Sequence, residues 1–284
     1  MNLKNIELKR DVDLKKFNTY KVGGKASLLI IANSTKEVGS VIKDYGFNLY
    51  ILGGGSNLLI NDGKITTPIL KLGQGFNRIR RSDDYVEVGG STSLSSLLKF
   101  CLKNNFGGIE NLAGIPGTIG GLIRMNASSF GTALSSYLVE VDTIDERGNT
   151  NTFRKNDIFF GYRYSSLKNV VILKARFKFL SNSCLRRAIK DIILKRYDFQ
   201  DYSYPSCGSV FKNPPDVSAG YLIDSSGLKG IKYNDAQISH IHANYIINRG
   251  SAKYDDIDFL IQKIKKTVLA EKCVELEEEV IRRT

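Results

Sequence analysis

The sequence predicts an α+β protein: two strand-rich units, each with one helix and one glycine loop, followed by a smaller α+β domain. Three observations predict it. Apolar residues alternate over 85–88, 139–143 and 170–179, as half-buried strands require. Leu94, Leu97, Leu98 and Cys101 recur at helical spacing, as do Ile257, Ile261, Ile264 and Val268. Two glycine clusters, Gly53-Gly54-Gly55 and Gly114 to Gly121, interrupt the strand patterns. With 284 residues the chain suits two domains better than one. The expected division is 1–182, with parts of about 1–72 and 73–182, and then 183–284.

Each element has its own signal. Residues 28–32 read as a buried strand. Ser34 followed by Glu37 is a capping box, so a helix is expected over 35–45, ending at Gly46. A strand over 48–52 runs into GGGSN, residues 53–57. No helix follows that loop, so it lacks the context of a Rossmann fingerprint, and an anion there would be held by a nest of N–H groups. The helix begun at Leu94 is expected to stop at Gly107-Gly108. The stretch AGIPGTIGGLIRMNA, residues 113–127, crowds four glycines around Pro116, with no charge before Arg124. Its reading is a turn-like segment whose backbone lets N–H groups approach a ligand closely. A hairpin turns at 146–149, and a loop near 159–165 carries Arg163. Beyond 183 come a basic amphipathic helix, the segment YPSCGSVFKNP, a helix from 219, a strand over 238–247, a helix begun by Asp255-Asp256 and a last strand over 276–281. Two glycine loops from separate strand units suit the diphosphate of a dinucleotide.

Composition narrows the classes. The longest apolar run, SLLIIA, is far too short to span a bilayer. The N-terminus lacks the apolar core of a signal peptide, and a cytoplasmic location is expected. Cys101, Cys184, Cys207 and Cys273 lack metal-ligand spacing, and His240 and His242 are the only histidines, so no metal site is expected. The net charge of +12 suits an anionic partner. Nucleic acid, phosphate-bearing small molecules and a merely lysine-rich surface all fit it. No basic block carries interleaved aromatics, however, and no nucleic-acid module is evident.

The strings NTYKVGG, LGGGSNLL, GIPGTIGG with MNA, YRYS, YPSCGSVFKNP, HANYIIN and LEEEV, in that order from about Asn18 to Val280, resemble one family. It is the UDP-N-acetylenolpyruvoylglucosamine reductase family of peptidoglycan synthesis. The resemblance implies an FAD-binding domain of the vanillyl-alcohol oxidase/PCMH type followed by a substrate-binding domain. It implies FAD as cofactor, NADPH as reductant and UDP-N-acetylglucosamine enolpyruvate as substrate, which becomes UDP-N-acetylmuramate. Another FAD-dependent oxidase of the same fold is the alternative. Only Pro215 to Ser218 separate FKNP from AGYLID, which resembles the short-loop (type II) class. A monomer without nucleic-acid or membrane partners is expected.

The resemblance also assigns residues. Lys21, Gly53, Gly54, Gly55, Ser56, Asn57 and Leu58, with Gly114, Ile115, Pro116, Gly117, Thr118, Gly120, Gly121, Asn126 and Ala127, would bind the cofactor. Hydride addition leaves negative charge on the substrate carboxylate, and Arg163 matches the guanidinium that would stabilise it. Ser209 matches the proton donor. Glu279 matches the glutamate that would hold or protonate the enol oxygen; on a strand it would share a face with Glu277. Tyr162, Lys212, Asn213 and His242 would face the substrate. This chain departs from the family at Arg124, usually apolar, at Ser128-Ser129-Phe130, where small residues and a Tyr-Gly pair are usual, and at Ile241, where lysine is common.

Overall fold

A computed structural model describes residues 6–82, 85–182 and 184–284. The chain divides into two compact units that are not continuous in sequence. Unit 1 holds the described residues of Met1–Arg10, Leu28–Gly54 and Thr67–Lys195; unit 2 holds Asp11–Ser27, Gly55–Thr66 and Arg196–Thr284. Where the sequence reads as one domain over 1–182, compactness groups two of its short segments with the C-terminal residues.

A four-stranded sheet has the order Glu7–Asp13, Lys25–Ala32, Ile69–Leu72, Tyr50–Leu52. Ile69–Leu72 runs parallel to both neighbours, with Ile69 opposite Leu29 on one side and Tyr50 on the other. Inner parallel strands are covered on both faces, which explains the unbroken apolar run SLLIIA. Helix α1, Thr35–Tyr45, begins as expected. Ser34 Oγ accepts the Glu37 N–H at 3.3 Å, and Glu37 Oε2 accepts the Asn33 N–H at 2.6 Å. Gly46 closes it at φ +59°. Its face of Val38, Val41 and Ile42 packs with Ile30 and Leu70.

The second sheet of unit 1 is antiparallel, in the order Thr150–Arg154, Leu138–Asp145, Val170–Phe177, Val86–Gly89, Ile79–Arg81. Helix α2, Leu94–Asn104, buries Leu94, Leu97, Leu98 and Cys101 in the core that this sheet shares. Its end differs from expectation. Asn105 takes the left-handed cap at φ +53°, and Gly107 belongs to a two-residue strand, Phe106–Gly107, paired with Leu180–Ser181. Asparagine tolerates that conformation, so no glycine is needed. The stretch 113–127 is more than a turn: Ile119–Arg124 forms a short helix, α3, with Ile119, Leu122 and Ile123 buried. Helix α4 is Leu185–Phe199.

Unit 2 centres on helix α6, Tyr254–Lys272, whose residues Ile257, Leu260, Ile261 and Ile264 are fully buried. They pack with Val22, Leu59 and Phe211, and with helix α5, Ala219–Ser225. The expected strand over 238–247 is two antiparallel strands, Ala236–Ile238 and Ile246–Asn248. Ser239 breaks it: its Oγ accepts the N–H groups of Ile241 (3.0 Å) and His242 (3.2 Å), which turns the chain. The last strand begins only at Ile281 and runs parallel to Leu58–Ile60. Before it, Glu278 makes a single bridge with Phe211. Pro214 and Pro215 carry no N–H with which to extend that pairing.

Candidate active site

The glycine loop 53–57 is shaped first by packing. A Cβ on Gly53 would lie 2.9 Å from Thr118 Oγ1, and one on Gly54 2.9 Å from Gly117 Cα. In unit 1 the two glycine segments therefore come into close contact, with Gly54 backbone against Gly117 backbone and Gly53 against the Thr118 hydroxyl. Gly55 sits at φ +66°, and a Cβ there would lie 2.1 Å from the Phe17 carbonyl oxygen. Gly114 and Gly117 take φ of +88° and +139° around Ile115 and Pro116. Gly120 donates to the Gly90 carbonyl at 2.9 Å, while Gly121 starts the α3 turn that ends at Met125. Buried Ala127 closes on Leu122 at 2.8 Å.

What packing leaves over is a row of donors. Among the described residues, the backbone N–H groups of Gly54, Gly55, Ser56 and Asn57 have no hydrogen-bond partner. Successive unpaired amides are the feature that binds an anion. Beside Gly55 the Thr19 N–H donates to its carbonyl at 3.1 Å, and the buried Thr19 Oγ1 has no partner. Lys21 follows in a left-handed conformation, φ +58°, with an exposed side chain. Leu58 starts the next strand. This loop fits the diphosphate of FAD. Asn57 has a further role: its Nδ2 donates to the Glu279 carbonyl at 2.9 Å.

The segment expected as a loop near 159–165 is a small hairpin, Phe160–Gly161 with Tyr164–Ser165, and Tyr162 and Arg163 form its tip. Arg163 is at φ +53°, with its guanidinium 5.3 Å from the Tyr162 ring centroid. Three alternate residues of the 113–131 region brace the hairpin. Arg124 Nη1 donates to the Ser165 carbonyl (3.2 Å), while Ser165 Oγ donates to the Arg124 carbonyl (2.9 Å). Asn126 Nδ2 donates to the Gly161 carbonyl (2.8 Å) and Asn126 Oδ1 accepts from Ser135 (2.6 Å). Arg163 Nη1 donates to Ser128 Oγ (2.8 Å) and to the Ser128 carbonyl (3.2 Å). Two departures from the family pattern thus act on this hairpin: Ser128 holds Arg163 and Arg124 braces Ser165. Asn126, expected as a cofactor ligand, commits its side-chain amide to the same brace.

In unit 2 the segments CGSVF and LEEEV are laced by backbone. The Val210 carbonyl accepts the N–H of Glu279 at 2.8 Å, and Lys212 N–H donates to the Glu277 carbonyl at 2.9 Å. Ser209 therefore lies one residue from the group that anchors Glu279. The buried amide of Asn244 clamps Phe211, accepting from its N–H (2.9 Å) and donating to its carbonyl (2.8 Å). Beneath Ser209, Cys207 is buried, and its thiol is pushed up to about 12 by desolvation and then by the Glu279 carboxylate. Burial also raises the phenols of Tyr20 and Tyr245, each coupled to Cys207, and Tyr245 feels Glu279 as well. The Glu279 carboxylate thus acts on both the buried Cys207 thiol and the Tyr245 phenol.

The expected substrate residues differ in freedom. Lys212 is ion-paired with Glu277. Asn213 Oδ1 accepts the Ala219 N–H at 3.0 Å and helps start α5. His242 is in a loop, not on a strand; its Nδ1 accepts the Asn244 N–H at 3.2 Å and its ring packs 4.5 Å from Tyr245. Burial lowers its pKa, so the ring is neutral near pH 7, with the proton on Nε2.

Sequence reasoning missed Asn244 and Lys71. Asn244 stands inside HANYIIN, where an amide in an apolar run is the available signal. Lys71 is a lysine within the apolar run ILKL, and its Nζ donates to the Gly53 carbonyl at 3.0 Å.

Known proteins match this arrangement. Residues 26–154 match the family described as FAD binding domain, which sets the class: a flavin-binding protein with a separate C-terminal domain. Residues 200–282 match UDP-N-acetylenolpyruvoylglucosamine reductase, C-terminal domain. Reductases of that name from Rickettsia typhi and Heliobacterium modesticaldum are 36% and 34% identical, over 97% and 94% of this chain and 95% and 88% of theirs. The crystal structure of UDP-N-acetylenolpyruvylglucosamine reductase (MurB) from Thermus caldophilus superposes with a TM-score of 0.84 at 30% identity, covering 99% of both chains. The chain belongs to the UDP-N-acetylenolpyruvoylglucosamine reductase family. Among the described residues no helix is long and apolar enough to cross a membrane, and no group of side chains could hold a metal ion.

Proposed function

We propose that this protein is an FAD-dependent oxidoreductase that uses NADPH to reduce UDP-N-acetylglucosamine enolpyruvate to UDP-N-acetylmuramate, a precursor of peptidoglycan. Support comes from relatives at about a third identity over nearly the whole length. The structural observation that carries the reading is the row of unpaired amides from Gly54 to Asn57, a cradle suited to a dinucleotide diphosphate. Bound FAD supplies the hydride relay between NADPH and the enolpyruvyl double bond. Ser56 lies within the cradle, Gly53 and Leu58 flank it, and Gly114 to Gly121 carry its second glycine segment.

The chain's own residues manage charge and protons. The Arg163 guanidinium stabilises the negative charge that develops on the substrate carboxylate. Ser209 Oγ–H delivers the proton to the neighbouring carbon. A hydroxyl is a weak acid, but its acceptor here is carbanion-like, and a placed general acid contributes on the order of 10²–10⁴-fold. Glu279 holds the enol oxygen. Its carboxylate lies close enough to Cys207 and Tyr245 to raise both of their pKa values. Tyr162, Lys212, Asn213 and His242 serve substrate recognition. A monomeric state, a cytoplasmic location and membership of the short-loop class belong to the same proposal; only Pro215 to Ser218 separate Pro214 from α5.

Anaerobic half-reactions test it. NADPH should bleach the flavin band, and UDP-N-acetylglucosamine enolpyruvate should restore it. Ser209→Ala should leave bleaching intact and slow restoration by about 10²-fold or more. Restoration at the wild-type rate would remove Ser209 from its role. No restoration of the wild-type flavin by this substrate would sink the proposal.

A further inference from the structure

Lys71 is an anomaly of position. It lies in the inner strand Ile69–Leu72, opposite Ile31 on one side and Leu52 on the other. Lysine is depleted in such strands because a charge gains nothing from an apolar covering. Its side chain is half-buried, and its ammonium donates to the neutral carbonyl of Gly53 at 3.0 Å. Among the described residues no carboxylate pairs with it. Burial alone draws its pKa down. A desolvated ammonium with one neutral acceptor retains unused N–H donors and an uncompensated charge. The carbonyl that it holds opens the loop of four unpaired amides. Gly53 follows the carboxyl end of Tyr50–Leu52, and Lys71 is one residue from the carboxyl end of its own strand. Ligands gather at the carboxyl ends of parallel strands.

We propose that Lys71 is a cofactor-binding residue: its ammonium supplies fixed positive charge to the glycine loop and compensates the diphosphate of FAD. The inference rests on the reading of residues 54–57 as the diphosphate cradle. Its competitor is a tether, in which Lys71 merely holds the Gly53 carbonyl in place. The two differ in sign for the flavin-free protein. A tether stabilises it. An uncompensated, half-buried charge costs stability there, and that cost is removed when an anion binds.

Lys71→Met keeps the stem and removes charge and donors; Lys71→Arg keeps the charge. The test uses the full chain stripped of flavin, with FAD and riboflavin, which carries no phosphate, titrated by flavin fluorescence. Lys71→Met should raise the Kd for FAD about 10- to 100-fold, the range for a hydrogen bond to a charged group. It should also flatten the salt dependence of FAD binding and leave riboflavin binding unchanged. The melting temperature without flavin should hold or rise, and Lys71→Arg should bind FAD within a few-fold of wild type. Equal weakening of FAD and riboflavin with a lower melting temperature would establish the tether and overturn the proposal. An unchanged Kd for FAD would overturn it as well. A wild-type protein that binds no FAD would overturn the cradle reading itself, an outcome separate from either.

Discussion

Arg163 in unit 1 stands at the tip of a hairpin with four paired residues, held by side chains: Ser128 bonds Arg163 itself, and Arg124 and Asn126 bond Ser165 and Gly161, across 35 to 41 residues of sequence. Glu279 in unit 2 is held by backbone. Its N–H rests on the Val210 carbonyl, its carbonyl accepts from Asn57, and Asn244 locks the adjoining Phe211 in the core. The first arrangement can be edited one hydrogen bond at a time. The second rests on buried groups that lose their partners all at once. Guanidinium placement should therefore vary with little loss of stability, whereas the proton-handling segment should stay fixed or unfold.

The largest expected effect tests the rigid side. Asn244→Ala strands the N–H and carbonyl of Phe211 in a buried setting, at about 1–3 kcal/mol each. Denaturant unfolding should show a loss on the order of 3 kcal/mol. A loss below about 0.5 kcal/mol would mean that backbone lacing does not depend on this clamp. The next effect tests the editable side. Ser128→Ala removes the hydroxyl that accepts from Arg163, and substrate-driven flavin restoration should slow about tenfold, roughly 1.4 kcal/mol in the barrier. Bleaching by NADPH should be unaffected, and the melting temperature should move little, because the pair is only partly buried. If bleaching slowed equally, Ser128 would be acting on the flavin site and not on Arg163.

How much of this was legible in the sequence follows from where each cause lies. Helix α1 was readable from end to end because Ser34, Glu37 and Gly46 are local signals. The end of α2 was not, because Asn105 could take the left-handed cap before the glycines were reached. The expectation of one strand over 238–247 rests on Ile241, Ala243 and Tyr245 alternating with polar residues; the break comes at Ser239, whose hydroxyl bonds the N–H groups of Ile241 and His242. The glycine loops were legible as close backbone approaches, but their contact with each other was not. Arg163, Ser209 and Glu279 follow from motif resemblance; composition and spacing by themselves do not single out any of the three. Lys71 and the brace of Arg124 and Ser128 depend on partners far away in sequence, and no spacing rule reports them.

The smallest effect asks whether charge alone can loosen the rigid side. His242 is half-buried against Tyr245, and Lys229 adds to the desolvation that lowers its pKa. The unfolded chain binds a proton near pH 6.5, and the folded chain only below that. Stability from the neutral ring is thus full above about 6.5 and is lost as pH falls from there through the lower folded-state value. Melting temperatures from pH 8 to pH 5 should decline more steeply for the wild type than for His242→Gln, which cannot titrate. Each pH unit by which folding lowers the protonation midpoint corresponds to about 1.4 kcal/mol, and that bounds the difference. Parallel curves would mean that His242 is as free to charge in the folded protein as in the unfolded chain. In that case the Asn244 N–H would not be holding Nδ1 as an acceptor, and the loop between Ile238 and Ile246 would belong with the editable hairpin of unit 1 and not with the backbone-laced segment that carries Glu279.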